Sequence, residues 1–138
     1  MITVEGKIKG KARPRFNTRT GHAITPQDTV NYENWVKMCY KEQHGEYLEG
    51  ALQATIIAYY KIPPSYTKKR VQSIREGKEY PCKKPDGDNI AKIILDSLNK
   101  IAFDDDKQII DLRVIKKFTE ENERVEFEIK KIESVKLL

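Results

Sequence analysis

Lys84-Pro85-Asp86-Gly87-Asp88-Asn89-Ile90-Ala91-Lys92 begins as loop and ends as helix. Pro85 and Gly87 break any regular element before it. After Asp88 the apolar residues fall at Ile90, Ile93, Ile94, Leu98 and Ile101, the spacing of one buried helix face. The spacing predicts a helix from Asp88, as N-cap, to about Ile101. It is followed by a tight acidic turn, Phe103-Asp104-Asp105-Asp106-Lys107.

The rest of the chain arranges itself around that helix. Downstream, residues 108–118 and 124–132 read as strands joined by a hairpin turn at Glu121-Asn122-Glu123. Upstream, residues 51–62 are the clearest strand. Leu52, Ala54, Ile56, Ala58, Tyr60 and Ile62 alternate onto one face, and Pro63-Pro64 ends the run. Residues 67–77 read as a short basic helix with Val71 and Ile74 beneath it. Thr25-Pro26-Gln27-Asp28 reads as a helix start, with Thr25 as cap and Pro26 in the first helical position. That helix runs to about Gln43, with Val30, Trp35, Met38 and Cys39 inward, and stops at His44-Gly45. Residues 9–21, with Gly, Pro and Arg and no period, read as loop. Residues 2–8 read as a first strand. The order β-α-β-α-α-β-β, the second helix being short, describes one α+β domain over residues 1–138, a mixed sheet with helices packed on it.

Composition excludes several classes. At 138 residues the chain is long enough for one core. It is 38% hydrophobic and 34% charged, and its apolar runs are too short to span a bilayer. Met1 to Glu5 reads as strand rather than secretion signal. Cys39 and Cys82 lack any metal or redox spacing and read as reduced thiols, and His22 and His44 add no ligand pattern. These features point to a cytoplasmic protein. The net charge is +5, unevenly spread: residues 1–85 carry 16 Lys and Arg against 8 Asp and Glu, residues 86–138 carry 10 against 13. A basic half suits a phosphate backbone and an acidic half suits metal ions. Lys11, Arg13, Arg15, Arg19, Lys68, Lys69 and Arg70 are the candidate DNA contacts.

Asp86 and Asp88 stand two apart where loop becomes helix, so both can point to one side. Lys92 and then Asp96 follow at four-residue steps on the same helix face. Asp104, Asp105 and Asp106 repel one another unless a cation relieves them. Mg²⁺ takes few carboxylates and completes its shell with water and phosphate oxygens. Each feature has a plainer reading: turn and cap chemistry for Asp86 and Asp88, a solvated loop for the acidic triplet, an exposed ion pair for Lys92 and Asp96. A helix of that length is roughly 20 Å long at about 1.5 Å per residue. A shared ion therefore requires the turn at 103–106 to fold back so that Asp106 approaches Asp86 and Asp88.

From Asp86 to Phe118 the chain resembles the RusA family of Holliday junction resolvases. The resemblance rests on Asp86-Gly87-Asp88-Asn89-Ile90-Ala91-Lys92, on Leu95-Asp96-Ser97-Leu98 and on Phe103-Asp104-Asp105-Asp106-Lys107-Gln108-Ile109. Length and element order extend it over nearly the whole chain. It implies a homodimeric endodeoxyribonuclease of bacteria and phages, dependent on Mg²⁺ or its substitute Mn²⁺ and acting on branched DNA. By that resemblance Asp86, Asp88 and Asp106 take the metal-binding catalytic positions, Asp105 is a neighbouring ligand, and Lys92 is the catalytic lysine. Two other readings stay open: a DNA-binding module with structural acids, and a metal-dependent phosphohydrolase of nucleotides or RNA.

Overall fold

The computed structural model describes residues 1–12 and 15–132. Its elements are β1 (Ile2–Glu5), β2 (Arg15–Phe16), β3 (Ala23–Ile24), α1 (Gln27–Glu42), β4 (Leu52–Lys61), α2 (Lys68–Arg75), α3 (Gly87–Leu98), a 3₁₀ turn (Asp106–Gln108), β5 (Ile109–Thr119) and β6 (Arg124–Lys131). The main sheet has the order β1-β6-β4-β5. β4 runs parallel to β5, while β6 is antiparallel to both β4 and β1. The sheet is mixed and the chain folds in the α+β class.

β4 is central because its inward face is wholly apolar. Leu52, Ala54, Ile56, Ala58 and Tyr60 are all buried. A parallel neighbour requires a crossover, and residues 62–108, with α2 and α3, supply it. α3 buries Ile90, Ala91, Ile93, Ile94, Leu95, Ser97 and Leu98 in the core beside Phe127, Val125 and Val4. The Ser97 hydroxyl satisfies itself by donating to the Ile93 carbonyl, 2.5 Å away.

Several expectations need correction. The turn at Glu121-Asn122-Glu123 is not a hairpin, because β4 lies between β5 and β6. The link instead passes over the end of β4: the Ile62 N–H donates to the Thr119 carbonyl, and the Lys61 N–H donates to the Glu123 carboxylate at 3.2 Å. An apolar central strand takes a partner on each edge, and this outweighs the local turn signal. The inner face of α1 is Thr29, Tyr32, Val36, Cys39 and Tyr40. Trp35 and Met38 are 39% and 50% exposed, on the helix flank, where the Trp35 ring N–H donates to the Glu5 carbonyl. Thr25 caps nothing; Pro26 is the N-cap and the Thr29 N–H bonds its carbonyl. The helix stops as read, since a side chain at Gly45 would come within 2.4 Å of the Tyr40 ring. α3 ends at Leu98, because Asn99 leaves helical angles and Lys100 adopts a positive φ of 68°. Part of the 9–21 loop is a small hairpin, β2 paired with β3. Among the described residues no helix is long and apolar enough to cross a membrane.

Candidate active site

Asp86, not Asp88, is the N-cap of α3, and its side chain makes no capping bond. Asp88 lies in the first turn and is exposed. Neither carboxylate is consumed by the local structure, although capping is the ordinary use of an aspartate at such a place. Both sit at the positive end of the helix dipole, which favours negative charge. The segment before them is held down: the Tyr60 hydroxyl donates to the Pro85 carbonyl at 3.4 Å, the Lys11 N–H donates to the Asn89 carbonyl at 3.1 Å, and Gly10 packs on Pro85 closely enough that a Cβ would meet it at 2.8 Å. Burial pushes the Tyr60 hydroxyl up to about 12, aided by Glu123, so it stays a neutral donor.

Lys92 stands one turn above Asp88, its side chain 61% exposed, with its ammonium 3.9 Å from the Asp96 carboxylate. Asp96 is also held by Lys11 at 3.4 Å, and Lys11 in turn meets Glu33 of α1 at 3.1 Å. Lys11, read from sequence as a DNA contact, is thus a partly buried bridge between α1 and α3.

The acidic triplet divides into three roles. Asp104 is ion-paired with Lys100. Asp105 caps the 3₁₀ turn, accepting from the Lys107 N–H at 2.8 Å, while the Gln108 side chain accepts the Asp104 and Asp105 N–H groups and donates to the Gly50 carbonyl. The Lys107 N–H holds the Asp105 carboxyl below its ordinary range. Asp106 has no ion pair among the described residues. Its N–H donates to the Asn99 side chain at 2.9 Å. Its carboxyl is pushed above the ordinary value by burial, and further by the neighbouring carboxyls of Asp105 and Asp96. Three carboxyls, those of Asp96, Asp105 and Asp106, therefore crowd together there, an arrangement whose repulsion a cation would relieve.

The structure therefore groups Asp86, Asp88 and Lys92 at the N-terminal half of α3, and Asp96, Asp105 and Asp106 at its C-terminal end. The expected fold-back that brings Asp106 to Asp86 and Asp88 does not occur within the chain. Asp88 and Asp96 stand about two helical turns apart, about 12 Å at 1.5 Å per residue, with Lys92 between them and paired to Asp96. Among the described residues no three acidic, histidine or cysteine side chains lie close enough to share one ion. The donors are all hard oxygens, the chemistry Mg²⁺ requires, but one chain does not gather them around a single centre.

Of the candidate DNA contacts, Lys68 and Lys69 are exposed on the first turn of α2 with no ion pair among the described residues. Arg70 beside them is committed: its guanidinium bonds Glu79 at 2.7 Å and lies 3.6 Å from the Tyr66 ring centroid. Arg19 is exposed in the turn between β2 and β3. Arg15 lies in β2, and Arg13 falls outside the described residues. Asp96 and Glu33 were not singled out from sequence for the site; only the four-residue step from Lys92 to Asp96 pointed to either.

The family model described as Endodeoxyribonuclease RusA matches residues 5–130. The chain is also 31% identical over 136 residues to "Uncharacterized protein YqaN" of Bacillus subtilis (strain 168), a match covering 95% of each chain.

Proposed function

Because this chain belongs to the RusA endodeoxyribonuclease family, its matched span reaching from the first strand to the last, we propose that it is a Mg²⁺-dependent endonuclease that resolves four-way DNA junctions by paired nicks. The observation that carries this reading is the pair of exposed, uncapped carboxylates at the start of α3, with Lys92 one turn above them. Solvated aspartates spent on turn or cap chemistry would be bonded to backbone N–H groups, and these are not.

In this reading Asp86, Asp88 and Asp106 are the metal ligands, with Asp105 beside them. The ion, Mg²⁺ or Mn²⁺, supplies charge neutralisation at the phosphoryl oxygens. Lys92 adds positive charge where the transition state accumulates negative charge. Lys11 and Lys92 fix Asp96, which in turn flanks Asp106. Lys68, Lys69, Arg19, Arg13 and Arg15 neutralise backbone phosphates, giving affinity without sequence information. The protein acts as a homodimer in the cytoplasm of a bacterial or phage-infected cell, since two sites related by a two-fold axis suit a junction of near two-fold symmetry.

The test compares a synthetic four-way junction, a linear duplex of the same sequence and a mononucleotide, each with Mg²⁺ and with chelator. Symmetric nicking of the junction alone, and only with Mg²⁺, supports the reading. Equal cleavage of duplex, or turnover of the mononucleotide, points to a general phosphohydrolase instead.

A further inference from the structure

Resting on that reading, we propose that Phe16, carried on the β2–β3 hairpin, stacks on a base laid bare where strands part at a DNA branch, and so gives the protein its preference for branched over duplex DNA.

The first observation is an aromatic ring with nothing over it. Phe16 is 69% exposed, and the residue opposite it in the hairpin is Ala23, too small to cover the ring. Phe16 joins no aromatic pair and takes no cation on its face among the described residues. Its ring adds nothing to the core and is available to a ligand.

The second observation is how the ring is presented. A ladder of two residue pairs is marginal by itself. The turn holds it: the Asn17 N–H donates to the His22 carbonyl and the Gly21 N–H to the Asn17 carbonyl, each at 2.8 Å, while the Asn17 side chain accepts the Arg19 N–H at 2.9 Å. Gly21 has a φ of 71°, which glycine adopts without strain. Before the hairpin, the chain is fastened to the start of α3, where Gly10 packs on Pro85 and the Lys11 N–H bonds the Asn89 carbonyl. The five residues from Lys11 to Phe16 span at most about 18 Å. Nucleotides along one strand are about 3.4 Å apart. A strand held at Asp86 and Asp88 therefore has bases within reach of Phe16.

The third observation is charge. Residues 6–27 hold six Lys and Arg and no Asp or Glu. Lys11 is spent on Glu33 and Asp96, and Lys9 reaches Asp28 at 3.9 Å. Arg19, three residues from Phe16, is exposed and has no ion pair among the described residues. A bare aromatic ring beside a free cation is the chemistry of single-strand platforms, where the cation holds phosphate and the ring takes the face of any base. In closed duplex both faces of each base are covered by its neighbours, so a ring can enter only by unstacking them. At a branch the stack is already interrupted, and the same contact costs less. The ring thus separates branched DNA from duplex without reading sequence.

Binding without divalent metal tests this, so that cleavage does not enter. The wild type, Phe16→Ala, Phe16→Trp and Arg19→Ala are each titrated with a synthetic four-way junction and with a linear duplex of the same sequence. Phe16→Ala should lose about tenfold in affinity for the junction and less than about twofold for the duplex, and Phe16→Trp should keep the preference. Arg19→Ala should weaken both alike, as a phosphate contact does. A junction carrying 5-iodouracil at the branch should crosslink to Phe16 under irradiation, as a stacked ring requires. The melting temperature of Phe16→Ala should match that of the wild type, since the ring lies outside the core. No loss on the junction, or equal losses on both DNAs, overturns the proposal. So does a change in the sedimentation of DNA-free Phe16→Ala, which would assign the ring to a protein surface. Full junction preference in Phe16→Ala, with junction cleavage by the wild type in Mg²⁺, overturns the stack alone and leaves the nuclease reading standing. A wild type that neither prefers nor cuts the junction overturns both.

Discussion

Asp106 shows what a single residue reveals when its neighbours are known. From sequence, Asp104, Asp105 and Asp106 are equivalent acids in a turn. The fold pairs the first with Lys100, uses the second as a cap, and leaves the third half-buried beside Asp96. That arrangement has a cost in the metal-free protein, and its sign follows from linkage. A carboxyl whose folded value is raised binds its proton more tightly in the folded state, so stability falls as pH rises from the ordinary value near 3.8 through the raised one, and stays lower above it. Asp106→Asn is therefore expected to raise the stability of the metal-free chain at neutral pH slightly, with the gain vanishing below the ordinary carboxyl range. Thermal melts across pH check it; a melting temperature lowered at pH 7 contradicts it. Lys92 carries a prediction of its own. Lys92→Ala should lower single-turnover cleavage by more than it weakens junction binding, because Lys92 stands one turn from Asp88 and pairs with Asp96, within the acidic row of α3. Equal losses would make it a phosphate contact.

At the scale of elements, α3 does two jobs. Its apolar stripe builds the core, and its ends carry the acids. Ile94 is fully buried, so Ile94→Ala leaves a cavity expected to cost 2–5 kcal/mol of stability, read as a shift in the denaturant midpoint. α3 was legible in the sequence because its hydrophobic residues repeat at a helical period over about three turns. So was β4, because its alternation is unbroken. α1 was only partly legible. Trp35 and Met38 are large and apolar, but the stripe that reaches the core passes through Tyr32, Val36 and Cys39, and hydrophobicity alone does not choose between adjacent stripes of one helix. The neighbours of β5 were not legible at all. A four-residue link between two strands is good hairpin chemistry, and only the insertion of β4 between them shows otherwise. The cap of α3 moved by two residues for a related reason: Asp86 and Asp88 are equally good caps, and the backbone selects the earlier one.

At the scale of the whole molecule, the fold pairs some charges of the basic half with the acidic half, Lys11 with Asp96 and Arg75 with Glu120, and leaves others exposed. The acids collect along α3 and the turn before β5, while Lys68 and Lys69 project from α2 and Arg19 from the β2–β3 turn. Replacing Lys68 and Lys69 by alanine should weaken junction binding and reduce the log–log salt slope by about 1.8, at about 0.9 per phosphate contact. Arg70→Ala should change that slope less, since its guanidinium is already held by Glu79. Binding across a salt series decides; an unchanged slope for the double lysine variant would remove α2 from the DNA surface. Which basic side chains are free and which are spent on internal partners is a tertiary fact, and sequence, which weighs Lys11, Lys68 and Arg70 alike, holds no trace of it.

The central claim is that the exposed acids at the start of α3 belong to a metal-dependent nuclease site. Single-turnover cleavage of a synthetic four-way junction by the wild-type chain and by Asp88→Asn, each in Mg²⁺, tests it most directly, because the substitution keeps the shape and removes one ligand charge. The expected result is symmetric nicking by the wild type and none by the variant, with junction binding unchanged between them. Nicking by Asp88→Asn at the wild-type rate would contradict the account.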